Sequence, residues 1–105
     1  MSSSINLAAA AAELPDAWRS KVLASVGDAR VKVSRMDSAV YPDERHDHAE
    51  VLVVLDGTMN LHVDGVPIPV RAGQMVRVEA GQLHGVAAGS HGTLLIFNMP
   101  DSAAR

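Results

Sequence analysis

His46-Asp47-His48-Ala49-Glu50 opens the stretch that decides the fold, and it continues through the apolar run Val51–Leu55 to Asp56-Gly57. In an extended strand successive side chains point to opposite faces, so positions i, i+2 and i+4 share one side. His46, His48 and Glu50 stand at such positions and present two imidazoles and a carboxylate together. His84 follows a glycine-punctuated stretch and offers a third imidazole from another strand. This donor set suits a divalent ion of Fe, Mn, Ni, Cu or Zn. It leaves coordination positions open for water, dioxygen or a substrate.

Working outward, the same texture repeats. Thr58–Val63, Val66–Val70, Met75–Val78, His84–Ala87 and Thr93–Met99 are short, rich in Val, Leu or Ile, and separated by glycine or turn residues. Asp56-Gly57 and Asp64-Gly65 are dipeptides that tight hairpins favour. Upstream, Val31 and Val33 alternate with Arg30, Lys32 and Ser34, which predicts a half-buried strand. Asp37 to Glu44, with Pro42, predicts a turn-rich connection. Many short strands with close turns indicate an all-β fold, an antiparallel sandwich or barrel.

The N-terminal part differs. Asn6–Glu13 is alanine-rich and has high helix propensity. Leu14, Trp18, Val22 and Val26 recur every four residues beside Leu23, which predicts the apolar stripe of a short helix ended by Gly27. Trp18 would anchor that helix on the sheet. The expected organisation is a helical extension over residues 1–29, a single barrel over 30–100 and a polar tail over 101–105, with a mobile start at Met1–Ser4.

Composition narrows the function. A chain of 105 residues with 48 % apolar residues has material for one core. Trp18, Tyr41 and Phe97 are its only aromatic residues and its formal net charge is −3, so neither base stacking nor phosphate binding is served and no nucleic-acid partner is expected. Without cysteine there is no disulfide, thiolate ligand or thiol nucleophile. No apolar run approaches the ~20 residues of a membrane span, and the run Ala8–Ala12 follows no basic segment. The expectation is a soluble, cytoplasmic protein without a membrane partner.

The intervals now become specific. Six residues separate Glu50 from Gly57, and fifteen separate Gly57 from Gly73. Five more lead to Glu79-Ala80-Gly81, and two more to His84. This pattern resembles the two motifs of the cupin superfamily: H-x-H, a gap, E and G, then G, P-x-G, H and N. The short interval between the motifs is similar to that of compact microbial cupins, and the likeness runs from Val31 to Met99. Three positions depart from it. The gap between His48 and Glu50 is shorter than in the family, Glu79 replaces the proline, and Ala88 stands at the terminal asparagine.

The resemblance implies a cupin-type antiparallel β-barrel (a double-stranded β-helix or jelly roll) with a short N-terminal helix. It implies a divalent metal on His46, His48, Glu50 and His84. Glu50 has two open roles: ligand, or a residue that orients one and serves as a catalytic base. The implied functions are a metal-dependent oxygenase, isomerase or lyase acting on a small organic molecule, or a non-enzymatic module that senses or binds one. Small cupins are commonly homodimers, and the N-terminal helix with Trp18 is a candidate cover for an edge strand.

Other residues read more plainly. Met59, Leu61 and Val63 should face the interior, leaving His62 with Asn60 and Asp64 outside. His91 reads as a turn residue, and Glu44 and Asp47 as solvated charges. Tyr41 is placed at the pocket mouth or in simple packing. Leu52, Val54, Met75 and Val86 are expected to line an aliphatic pocket for a small, partly apolar ligand.

Overall fold

A computed structural model of the protein describes residues 3–100. The start at Met1 and Ser2 and the tail over 101–105 lie outside the described residues. Helix α1 (Leu7–Ala12) is followed by β1 (Lys21–Val26), β2 (Ala29–Met36), β3 (Tyr41–Glu44), β4 (Glu50–Val63), β5 (Val66–Arg71), β6 (Met75–Val78), β7 (His84–Val86) and β8 (His91–Asn98). All strand pairings are antiparallel.

The alanine-rich segment is helical as expected. Asn6 caps it, its side-chain oxygen accepting from the Ala9 N–H at 2.9 Å. The second predicted helix does not form. Residues 14–20 are irregular and Lys21–Val26 is a strand, hairpin-paired with β2 from Lys21↔Val33 to Val26↔Ala29. The four-residue recurrence of Val22 and Val26 is equally an alternation, and β-branched residues next to a partner strand favour the ladder. Gly27, at φ +59°, turns the hairpin rather than capping a helix. The preceding stretch is pinned to β2: the Trp18 N–H donates to the Arg35 carbonyl at 2.8 Å, and the Arg35 guanidinium donates to the Leu14 carbonyl at 3.2 Å.

β4 organises the barrel. Its first half lies between β8 and β6, with Glu50↔Asn98 on one side and Glu50↔Val78 on the other. Its second half lies between β7 and β5, with Leu61↔Val86 and Leu61↔Ile68. The strand therefore belongs to two sheets and joins them. One runs β1-β2-β8-β4-β6 and the other β3-β7-β4-β5. At the junction Val54 pairs with Leu94 and Asp56 with Thr93, so Leu55 is an inserted residue. Because the side-chain period is two, one extra residue exchanges the faces. Glu50, Leu52 and Val54 are buried before it; Met59, Leu61 and Val63 are buried after it. Asp56-Gly57 thus bends one strand and does not end a hairpin. Asp64-Gly65 does turn a hairpin, into β5, with both residues at positive φ.

The two sheets close on one core that includes Leu52, Val54, Met59, Leu61, Val86 and Leu94. α1 packs on the outer side of β2 and β8, and Ala11, Val33 and Leu95 are buried outside that cluster. Among the described residues, no helix is long and apolar enough to cross a membrane.

Candidate metal centre

His84 begins β7 and faces the interior. Two contacts deliver it. The Asp64 N–H donates to the Leu83 carbonyl at 2.7 Å, and the Asp64 carboxylate accepts from the Leu83 N–H at 3.1 Å. Across the ladder His84 pairs with Glu44 on β3, so the two side chains share a face. His46 lies just beyond β3, in the connection to β4. The Gly81 N–H, in the turn before β7, holds the His46 carbonyl at 2.8 Å. One local frame therefore sets Glu44, His46 and His84.

Their donor atoms lie within 4.8 Å of one another. The Glu44 Oε1 is 3.2 Å from the His46 Nε2 and 4.0 Å from the His84 Nε2. The other Glu44 oxygen accepts from the Tyr41 hydroxyl at 3.2 Å. Burial and the Glu44 charge push the Tyr41 hydroxyl above its ordinary pKa, so it stays a donor at neutral pH.

Glu50, buried at the start of β4, meets His84 from the opposite sheet, its Oε1 2.9 Å from the His84 Nε2. Burial alone would raise the Glu50 carboxyl. The His84 hydrogen bond and the charges of His46 and His84 outweigh burial and hold its pKa below the ordinary value. His84 moves the other way, raised first by the Glu50 hydrogen bond, against burial, and then by the Gln82 carbonyl. That carbonyl is 3.0 Å from Nδ1. Both ring nitrogens face acceptor oxygens, an arrangement that favours the imidazolium.

The same arrangement fits a metal. His84 would hold an ion through its Nε2 in place of that proton, with its Nδ1–H kept on the Gln82 carbonyl. Two imidazoles and one or two carboxylates match Fe, Mn, Ni, Cu or Zn.

The sequence-derived residues are only partly gathered. His46, Glu50 and His84 line the same cavity. His48 does not line it and does not join the converging donors; its ring stacks on His46 at 5.8 Å between centroids. Both histidines precede β4 and do not lie on it, so the strand alternation read for them does not apply. Glu44, read as a solvated charge, is half-buried in the centre instead. The signal was present, since Glu44 continues the i, i+2 series of His46. What singled it out, the Glu44↔His84 pairing, is tertiary.

The cavity has a volume of about 210 Å³. Leu52 and Val86 line it as expected. Val54 is buried elsewhere in the core, and Met75 is 61 % exposed. Trp18 also lines it, 5.6 Å from the Tyr41 ring, with its indole N–H donating to Asp37 at 2.9 Å. It is a packing anchor as expected, though not on a helix. Tyr41 borders the cavity as well. His62 is outside the core, its Nδ1 3.4 Å from the Asp43 carboxylate. His91 is the exposed first residue of β8 and not a turn residue.

A jelly-roll barrel with a histidine–carboxylate centre on its inner wall defines a class, and the sequence places the chain within it. The family model for the cupin domain matches residues 32–99. The chain belongs to the cupin family. No curated protein matches it in sequence. Solved structures do match in fold. A cupin-2 domain containing protein from Shewanella frigidimarina is 23 % identical at a TM-score of 0.82, over 90 % of this chain and 93 % of that one. A protein from Neisseria meningitidis is 19 % identical at 0.78, over 92 % and 99 %. Hydroquinone 1,2-dioxygenase from Sphingomonas, with 4-hydroxybenzoate bound, is 13 % identical at 0.79, over 94 % of this chain and 75 % of that one.

Proposed function

We propose that this cupin binds a divalent metal ion on His46, His84 and Glu44 and acts there on a small organic molecule, with oxygenase or isomerase chemistry. The observation that carries the proposal is the convergence of three donor groups within 4.8 Å at the wall of a cavity lined by both polar and aliphatic side chains. A bound ion would supply Lewis-acid or redox chemistry to a substrate oxygen. The chain's own residues do the rest. The Gln82 carbonyl fixes the ring of His84 through its Nδ1, and Glu50, with its Oε1 beside the His84 Nε2, would be placed to join the ion or to hold a proton. Tyr41 fixes Glu44.

The family pattern includes His48 and Glu50 among the ligands, and one experiment compares the two sets. Untagged protein, purified without chelator or added metal, is assayed by elemental mass spectrometry beside His46→Ala, His48→Ala, Glu44→Ala and His84→Ala. About one equivalent of metal is expected for a mononuclear site, with loss in the His46, Glu44 and His84 variants. Failure to take up any of the five metals would defeat the proposal.

A non-enzymatic binding module is the second reading. The connections between the described strands are short, which favours it. Binding of a small molecule without conversion supports it; turnover counts against it. A homodimer is part of the proposal under either reading. β1 ends its sheet with Val22 and Val26 exposed, which supports it. A monomer in light scattering at micromolar concentration would count against it.

A further inference from the structure

Opposite the metal centre, the cavity has a polar wall that the proposed function leaves unused. Lys32 and Ser34 are two apart on β2 and both line the cavity. Across the sheet their neighbours are Ile96 and Leu94, then Leu52 and Val54 on β4. Strands lie about 4.8 Å apart, so β2 stands roughly 10 Å from β4, where Glu50 begins the metal side.

Three features of this wall are unsatisfied. Among the described residues, Lys32, half-buried on the cavity wall, forms no ion pair with a carboxylate. Ser34 is 1 % exposed, and its buried hydroxyl has no hydrogen-bond partner. The Oδ1 of Asn98 is also buried without a partner, while its Nδ2 lies 3.5 Å from the Glu50 carboxylate. A buried polar atom without a partner is costly, about 1–3 kcal/mol in general, and calls for an explanation. The surrounding Leu94, Ile96 and Leu52 offer no hydrogen bond.

We infer that the cavity takes a small carboxylate, its anionic group on Lys32 and Ser34 and its other end toward the metal centre. A carboxylate oxygen accepts from both the ammonium and the hydroxyl. A hydroxyl or hydrated carbonyl on the same molecule would donate to the Asn98 Oδ1. The charge count agrees when the metal reading holds, on which this inference rests. A divalent ion balances the Glu44 and Glu50 carboxylates, leaving the Lys32 cation as the excess charge that a monoanion neutralises. An uncharged isostere would leave the half-buried Lys32 without an anionic partner.

The test uses butyrate, pyruvate, lactate and benzoate, each beside its primary amide, titrated into metal-loaded full-length protein and followed by NMR and calorimetry. At least one acid is expected to bind roughly tenfold or more tightly than its amide. Lys32→Met should erase that preference, Lys32→Arg should keep it, and Ser34→Ala should weaken binding of the acid. Acids and amides binding alike, or no binding of any acid at millimolar concentration, overturns the inference. So does an unchanged preference in a folded Lys32→Met protein. Metal content is measured on the same samples. A metal-loaded protein without acid preference sinks the carboxylate alone, whereas acid preference in protein that takes up no metal sinks the metal reading alone.

Discussion

The His84–Glu50 pair makes the stability of the metal-stripped protein depend on pH from both sides. The raised His84 value means that its contribution is complete below its unfolded pKa near 6.5 and is lost as pH rises through the folded value. The lowered Glu50 value means that its contribution is complete above its unfolded pKa near 4.5 and is lost as pH falls through the folded value. Both are fully present only between those two unfolded values. Urea unfolding of chelated protein should therefore give its highest stability between about pH 4.5 and 6.5. Glu50→Gln should flatten the curve on both sides, and an unaltered curve in that variant would refute the assignment. Metal affinity should show the complementary dependence, weakening as pH falls through the raised folded value of His84, because the ion competes with the proton there. Two of the three converging donors were legible in the sequence at this scale because the motif intervals single out His46 and His84. Glu44 showed only as a continuation of the i, i+2 series of His46; what sets it apart from the neighbouring acidic residues is its strand pairing with His84. Direct comparison should show Glu44→Ala costing more metal affinity than His48→Ala, and the reverse order would restore the family set.

The bend in β4 is the element on which the cavity depends. The insertion at Leu55 changes the buried face from Glu50, Leu52 and Val54 to Met59, Leu61 and Val63, so both halves of one strand can line one core. The close crossing beside it requires glycine. Gly57 has φ +78°, and a Cβ there would overlap the His91 carbonyl; Gly92 has φ +107°, and a Cβ there would overlap the Asp56 carbonyl. Gly57→Ala and Gly92→Ala should each cost about 2 kcal/mol or more in denaturant unfolding, from left-handed strain plus the overlap. Gly27→Ala, which meets no neighbouring atom, should cost less. Equal losses at all three would mean that strain alone decides, not the crossing. Most strands were readable from period-two alternation, and β6 keeps the bounds expected for it. The Asp56-Gly57 bulge resembles a hairpin locally and is set by β8. The strand β1 was masked by a four-residue recurrence that suits either structure until β2 supplies hydrogen bonds.

Over the whole molecule, the centre and the core share one interior but should be separable thermodynamically. A ligand that binds only the folded state stabilises it by RT ln(1 + [L]/Kd), about 2.7 kcal/mol at a hundredfold excess over Kd. For a domain of this size that is a rise of roughly 10–20 °C in Tm. The wild type should show such a rise when metal is returned to chelated protein, and His84→Ala should show none. Met59, fully buried where the sheets meet, gives the opposite test. Met59→Ala should lower the baseline stability by about 2–5 kcal/mol through lost burial and a cavity. Its metal-induced rise should persist, because Met59 lines the cavity without offering a donor to the cluster. Loss of the metal response in Met59→Ala, with the protein still folded, would mean that core packing itself positions the ligands. Glu44, His46 and His84 come from one end of the second sheet, held by hydrogen bonds at Gly81 and Asp64 and not by Met59, so the two effects should add.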